Sequence, residues 1–400
     1  MTFRPLSAIR VLDLAGEPLA RAGRILADMG ADVVLVEPPG GSPVRRVPPL
    51  VPTSSGEEIS PYFAFTAAGK RSLTLDVRTP AGYDLFSRLA AGADVVLVSD
   101  DADRLREQRL DYRSLQSLND RIVYTSLTPF GATGPRRHWR GSDLVAWASS
   151  GALTSIGDPD RRPVAPGGTL AYAAGSLNAV AGTVLALLAR RRTGHGQMVD
   201  ISMQEAVLSV TMESSPLFTI EDGSQARVGR RRATASGLFA TKDGLVEIDP
   251  YMPGQWDALA EWISEELGIE EATMDTFRGS KSVRTPFAEL IDPWVEELAG
   301  RYGKQDFILE AQRRGIPCGP VNEPADLLED PHLAAVDAWV QTSYPGLGPI
   351  RQPRAPLRVG SEPVGAGNIP SPGEHNDEIY RGELGLTDAD LTMIRQNGCI

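Results

Sequence analysis

The stretch GTLAYAAG, residues 168–175, joins a small-residue helix start to one aromatic and no ionisable nucleophile, directly before a long apolar run and the basic turn RRRTGHG. Other segments carry side chains with clearer chemistry. VEPPGGSPVRR sets Arg45 and Arg46 just after an apolar strand-like run, and GKRSLTLD sets Lys70 and Arg71 at the start of another. Loops at the carboxyl ends of parallel strands form the ligand crevice, and a guanidinium fork matches phosphate oxygens, so the arginine pair there suits phosphate, while Lys70 and Arg71 are offered at the start of a strand. Solvated surface charge is the competing explanation for each pair. Cys318, in GIPCGPV, sits among apolar residues and reads as buried filling rather than as a nucleophile. His138, His195, His332 and His375 have no Cys, His or Asp partner at ligand spacing, so no metal site is expected. The G-x-S-x-G signal of serine hydrolases does not occur.

The elements that must position these groups follow a regular order. IRVLDLA (9–15), ADVVLVE (31–37), SLTLDV (72–77), ADVVLVSD (93–100) and IVYTSLT (122–128) are short β-rich runs, separated by helical patterns such as LARAGRILADMG and AGYDLFSRLAAG. This alternation predicts parallel strands with right-handed crossovers, a doubly wound, Rossmann-like α/β sheet. No G-x-G-x-x-G follows the first strand, so a nicotinamide cofactor is not expected. Helices are predicted in SDLVAWASSGAL and over 173–192, the second rich in Ala, Gly and Leu and closed by Arg190, Arg191 and Arg192 before Gly194. QMVDISMQEAVLSV restarts as strand and helix. A polar, basic connection follows around 215–235, then the two strand-like runs of GLFATKDGLVEID and an amphipathic helix in QWDALAEWISEELG. The expected division is a large domain over 1–215, a linker and small α/β domain over 216–335, and a C-terminal segment over 336–400 that wraps back onto the large domain. The proline-rich tract from about 340 reads as loop that needs support from another surface.

Composition sets outer bounds. Apolar residues make up 42% of the 400 residues and charged ones 23%, ordinary for a globular chain. A net charge of −12 argues against general nucleic-acid binding. No run is read as a membrane-spanning helix of about 20 apolar residues. With two cysteines and no signal-peptide pattern, a cytoplasmic location is expected.

Taken in order, IRVLDLA, LADMGADVVLVEPPGGSPVRR, GKRSLTLDVRTPAG, ADVVLVS, LDYRSLQSLNDRIVYTSLTPFGATGP, SDLVAWASSGAL, LALLARRRTGHGQMVDISMQEAV, GIPCGPVNEPADLLEDPHL and PGEHNDEI resemble the class III CoA-transferases. That family includes formyl-CoA transferase, the carnitine CoA-transferases and α-methylacyl-CoA racemase, and the resemblance runs along almost the whole chain. It implies a two-domain subunit in an interlocked dimer, with coenzyme A as substrate and neither metal nor NAD. It also implies an aspartate, four residues before the glycine matching Gly175, that attacks an acyl-CoA thioester to give a mixed anhydride and then an aspartyl thioester. Ala171 stands there, or Tyr172 if the loop is one residue tighter. An alanine has no lone pair to attack with, and a neutral phenol is a poor nucleophile near pH 7. The acid–base pair of the racemase branch falls at Ser142 and near Pro253. The family's pantetheine loop aligns with Ser99–Asp103, and the Gly-Pro of its first loop becomes Leu19-Ala20. Arg45, Arg46, Lys70 and Arg71 remain where its cationic contacts lie.

Three functions are compatible with this pattern. The first is an enzyme acting on acyl-CoA and a free carboxylic acid through another group, with Tyr172, Asp143 and Glu247 as candidates and Asp249 beside the last. Asp143 also reads as a helix N-cap, and Tyr172 as a wall residue. The second is a non-catalytic subunit paired with an aspartate-bearing paralogue in place of a homodimer. The third is a repurposed enzyme with a different activated acyl substrate. None involves nucleic acid or a membrane.

Overall fold

Six short strands, β1 (Arg10–Asp13), β2 (Asp32–Glu37), β5 (Arg71–Thr74), β6 (Val95–Val98), β7 (Val123–Thr128) and β8 (Met198–Ser202), form one parallel sheet in the order β5-β2-β1-β6-β7-β8. This computed structural model describes residues 4–211, 227, 229, 231–359, 362–363 and 367–400. Most of the basic connection expected at 215–235 lies outside them. A two-stranded ribbon of β3 (Val51–Pro52) and β4 (Glu58–Ile59) stands apart from the sheet. Strands β6 and β7 are buried at every position, as expected of strands covered on both faces. The helices of this part of the chain are α1 (Ala20–Asp28), α2 (Pro61–Ala67), α3 (Pro80–Ala91), α4 (Ala102–Glu107), α5 (Tyr112–Leu118), α6 (Asp143–Ser149), α7 (Leu170–Thr193) and α8 (Met203–Val210). The chain winds outward from β1 through β2 to β5, then returns to the other side of β1 at β6. The strand order therefore reverses between β1 and β6, which places a crevice at their carboxyl ends.

The first crossover is anchored by a buried ion pair. Lys70 Nζ lies 2.7 Å from Asp13 Oδ2 at the end of β1, and both side chains are essentially inaccessible. Nζ also donates to Ala20 O at 3.0 Å, and Asp13 Oδ1 accepts from Ala15 N at 3.0 Å. Gly23 of α1 must be a glycine, because a Cβ there would lie 2.2 Å from Asp13 Oδ2.

The edge strand β5 is closed by the C-terminal segment. Thr74 N donates to Asn376 Oδ1 at 3.0 Å, Ser72 N to His375 Nδ1 at 3.2 Å, and Tyr380 Oη to Thr74 O at 2.6 Å. Backbone groups that would otherwise offer an open sheet edge are thus satisfied. The tract from 340, read above as loop, contains the hairpin β13 (Trp339–Tyr344) and β14 (Gly348–Pro353). Its prolines do not break it. Arg354 N turns inward to Ala338 O at 2.8 Å, so Pro349 and Pro353 fall at outward positions where no N–H is required.

Helix α7 is long and apolar enough by composition to cross a membrane, contrary to the reading that no run reaches that length. Half of that apolar stretch is buried within the protein, and Arg190 near its end is paired with Asp94 at 2.7 Å.

The chain forms two compact units. The first holds 1–152, 165–216 and 332–400; the second holds 153–164 and 217–331, so the short segment 153–164 leaves the large unit. The second unit has a four-stranded antiparallel sheet in the order β12-β11-β10-β9, with β9 (Arg231–Ala233), β10 (Ser236–Thr241), β11 (Gly244–Ile248) and β12 (Cys318–Pro320). The helix Pro253–Leu267 buries Trp256, Leu259, Ala260 and Ile263, the face its apolar spacing predicts. Trp262, also buried, stacks on Phe307 with ring centroids 4.8 Å apart.

Removing one partner of the Lys70–Asp13 pair leaves an uncompensated buried charge. Lys70→Met or Asp13→Leu alone is expected to cost about 3–5 kcal/mol. Urea titration followed by circular dichroism checks this, and the double variant should recover most of the loss.

Candidate active site

Small residues bring α7 close to the sheet. A Cβ on Gly175 would lie 2.9 Å from Leu127 of β7, and one on Gly182 would lie 2.6 Å from Val199 of β8. The buried hydroxyls of Thr125 and Thr183 meet at 2.7 Å and fix the register of this contact. The glycines and alanines of GSLNAVAG therefore set the approach of the helix rather than its chemistry.

The start of α7 is capped from outside. Thr169, its N-cap, makes no side-chain capping bond. The first-turn N–H of Tyr172 instead donates to Asp143 Oδ1 at 3.0 Å. Asp143 does not cap its own helix as expected; Ser142 does, accepting from Val145 N at 3.4 Å. The reason is positional: Asp143 is already inside α6, and its carboxylate reaches the positive end of a neighbouring helix, where an anion is favoured.

The loop after β1 packs on the same place. Gly16 N donates to Ser99 Oγ at 2.7 Å, which ties the β1 loop to the β6 loop across the strand-order reversal. Tyr62 Oη donates to Glu17 O at 2.9 Å, and Ser176 Oγ of α7 donates to Pro18 O at 3.3 Å. Arg21 donates to Thr169 Oγ1 at 3.1 Å and lies over the Tyr62 and Phe65 rings. The Glu17 side chain is half-buried, and among the described residues none donates to its carboxylate. Burial, helped by the nearby Asp143 charge, pushes the Glu17 carboxyl above its ordinary value. Burial also raises Tyr172, with Glu17 and Asp143 adding to it, and pushes Tyr62 up to about 12. Both phenols are neutral donors at pH 7.

Two cavities open beside this loop. One of about 580 Å³ is lined by Pro18, Ser99, Arg104, Thr128, Arg137 and Arg140 among others. The second, of about 380 Å³, includes Leu14, Pro38, Leu75, Arg78, Ser99 and Arg104. Both lie where strands β1, β5, β6 and β7 end. His138 spans the rim of the first, with Nδ1 3.1 Å from Asp101 Oδ2 and Nε2 3.5 Å from Asp103 Oδ2. Spacing along the chain had offered no carboxylate partner for this histidine. Its hydrogen bond holds the Asp101 carboxyl below the usual range.

The expected phosphate-binding cations are mostly engaged elsewhere. Lys70 is in the buried pair described above. Arg71 bridges Asp32 at 2.7 Å and Glu383 at 2.8 Å, joining the C-terminal segment to the sheet. Arg45 pairs with the buried Glu37 at 2.6 Å and lies 4.1 Å over the Phe63 ring. Arg46 is exposed, with one bond to Gly40 O at 3.1 Å. Tyr172, Ala171 and Asp143 come together at the start of α7, Ala171 fully buried and Tyr172 nearly so. Glu247 and Asp249 lie in the second unit, on β11 and just after it. Glu247 stands opposite Gly319 of β12. Beside it, Cys318 is pushed up to about 12 by burial and the Glu247 charge, so its thiol is protonated at neutral pH.

Sequence reasoning missed Glu17, Arg78, Arg104 and Arg137. The available signal was position: each follows the carboxyl end of a parallel strand, whereas Lys70 and Arg71 lie at the beginning of one.

The family description CoA-transferase family III matches residues 6–376. A succinyl-CoA:(R)-benzylsuccinate CoA-transferase subunit from Thauera aromatica is 32% identical over 98% of each chain. A succinate–glutarate CoA-transferase from Agrobacterium fabrum is 32% identical over 94% of each. Among solved structures, a CaiB/BaiF family protein from Brucella suis matches with a TM-score of 0.84 at 30% identity, over 96% of this chain and 100% of its own.

The raised Glu17 carboxyl has a stability consequence with a definite sign. Its protonated form is favoured in the fold, so its contribution is fully present below the unfolded value and is lost as pH rises through the folded one. Glu17→Gln should therefore raise the thermal midpoint at pH 7. The gain should vanish below about pH 4, where the glutamate is protonated in both states. Calorimetric scans of both proteins across pH test this.

Proposed function

Because the chain belongs to CoA-transferase family III, we propose that it binds an acyl-CoA at the ends of β1, β5 and β6 and transfers the CoA to a free carboxylic acid. The observation that carries this reading is the pair of cavities at the strand-order reversal, lined by arginines and aspartates, one of which includes Pro18 of the loop packed on the start of α7. Arg137 and Arg140 of the larger cavity, which have no ion-pair partner among the described residues, supply charge for the CoA phosphates with Arg46 on the loop after Pro38. Arg78 and Arg104 are already paired, with Asp76 at 2.8 Å and Asp100 at 3.1 Å. Ser99 and the 100–103 turn carry the neutral pantetheine arm toward Tyr172. With Ala171 or Tyr172 at the usual aspartate position, the exchange uses a different group of this chain.

A second reading makes this chain the non-catalytic member of a heteromer; the related Thauera aromatica protein is named as a subunit, which is consistent with a multi-subunit assembly. The outer face of α7 favours an assembly of some kind. Leu170, Leu177, Leu185 and Leu188 are 48%, 60%, 65% and 53% exposed and share one side of the helix. An apolar stripe of that length is a surface for another subunit, a second copy or a paralogue.

Incubating the purified chain with succinyl-CoA and a panel of dicarboxylic acids, with chromatography of the thioesters, tests the first reading. New acyl-CoA formed by the chain alone supports it; ligand binding without exchange supports the second. In calorimetry, Arg137→Ala or Arg140→Ala should weaken succinyl-CoA about ten- to a hundredfold, the loss of one charge-assisted phosphate contact.

A further inference from the structure

Resting on the transferase reading, we propose that Glu17 is the acyl-accepting carboxylate of this protein, a nucleophile delivered by the loop after β1 instead of by the first turn of α7. The other groups at this place are accounted for. Asp143 is engaged as the cap of α7, accepting from Tyr172 N at 3.0 Å. Ala171 has no reactive atom, and the Tyr172 phenol is held neutral by burial beside two carboxylates. Glu17 remains. Its backbone is fixed by the bond from Tyr62 and by the Ser176 contact to Pro18, and the adjoining turn is tied to Ser99. Its carboxylate is half-buried and accepts from no described residue, and the next residue, Pro18, lines the larger cavity. A carboxylate partly stripped of water and of hydrogen-bond donors is more basic and a better nucleophile than one in solution.

The reaction balances without an added reagent. An oxygen lone pair of Glu17 adds to the thioester carbonyl carbon; the C–S bond breaks and its electron pair leaves as CoA thiolate. This forms a mixed anhydride between Glu17 and the acyl group. The thiolate then adds to the Glu17 carbonyl, releasing the first acid as carboxylate and leaving Glu17 as a CoA thioester. The acceptor carboxylate repeats these two steps in reverse order, which restores Glu17 and yields the new acyl-CoA. No net proton or electron is consumed. The neutral Tyr172 hydroxyl and Arg21 lie on the same loop–helix junction. Arg21 has no carboxylate partner among the described residues, and its Nε is buried without an acceptor. These donors serve to position the anionic acid.

The test is to incubate the full chain with succinyl-CoA, quench with hydroxylamine, and map hydroxamates by tandem mass spectrometry of tryptic peptides. The expected result is a hydroxamate on Glu17, in the peptide spanning 11–21, together with CoA exchange. Glu17→Gln should lose both, and Glu17→Asp should keep the label at position 17 with slower exchange. A Glu17→Gln protein that is folded by circular dichroism and still exchanges CoA overturns the proposal, as does a label confined to Asp143 or another carboxylate. If the chain binds succinyl-CoA in calorimetry yet neither exchanges nor becomes labelled, the Glu17 proposal is overturned and the partner-subunit reading stands. If it does not bind succinyl-CoA, the transferase reading itself is overturned, and this inference with it.

Discussion

The buried Lys70–Asp13 pair is the interaction on which the architecture of the site depends. Asp13 ends β1, the strand at which the winding of the sheet reverses, and Lys70 precedes β5 at its edge. The pair survives burial because each partner gains further bonds, Lys70 to Ala20 O and Asp13 from Ala15 N. Those bonds hold both sides of the turn between β1 and α1, and Glu17 lies between them. α1 approaches closely because its residue 23 has no side chain. The position of a candidate reacting group therefore follows from a buried ion pair.

Around that anchor the fold holds several groups in electrostatically costly places. Glu17 is drawn out of water beside Asp143, which disfavours its charge. Asp143 is better placed, since the positive end of α7 accepts its negative charge. Two carboxylates at one helix start are differentiated by burial and by their hydrogen bonds, one paired with the backbone and one not. Such local costs persist where function requires them and the surrounding structure absorbs them. Here the absorbing parts are the close packing of α7 on β7 and β8 and the closed edge at β5.

The C-terminal segment illustrates how that edge is managed. Arg71 carries Asp32 on one side and Glu378 and Glu383 on the other, so its charge joins distant parts of the chain. His375 and Asn376 supply the partners that a seventh strand would have supplied. The proline-rich tract before them remains ordered as a ribbon because its prolines occupy outward positions.

The sequence by itself determined the strand and helix order of the parallel sheet, the small-residue face of α7 and the family resemblance, because these are written in local composition and in motif order; the hairpin in the proline-rich tract was not among them. It also determined that residues 171 and 172 lack a carboxylate. Only the tertiary structure decided which charges are engaged and which are open. Lys70 and Asp13 are 57 residues apart in the chain, and Asp143 and Tyr172 are 29 apart. A charged side chain acquires its role from the groups within a few ångströms of it and from the water it loses, and neither is encoded by neighbours in sequence. For that reason Lys70, Arg71 and Arg45 read as ligand contacts in the sequence and are ion-paired in the fold. Glu17, inconspicuous in LAGEPLA, is a half-buried carboxylate beside the start of α7 that accepts from no described residue.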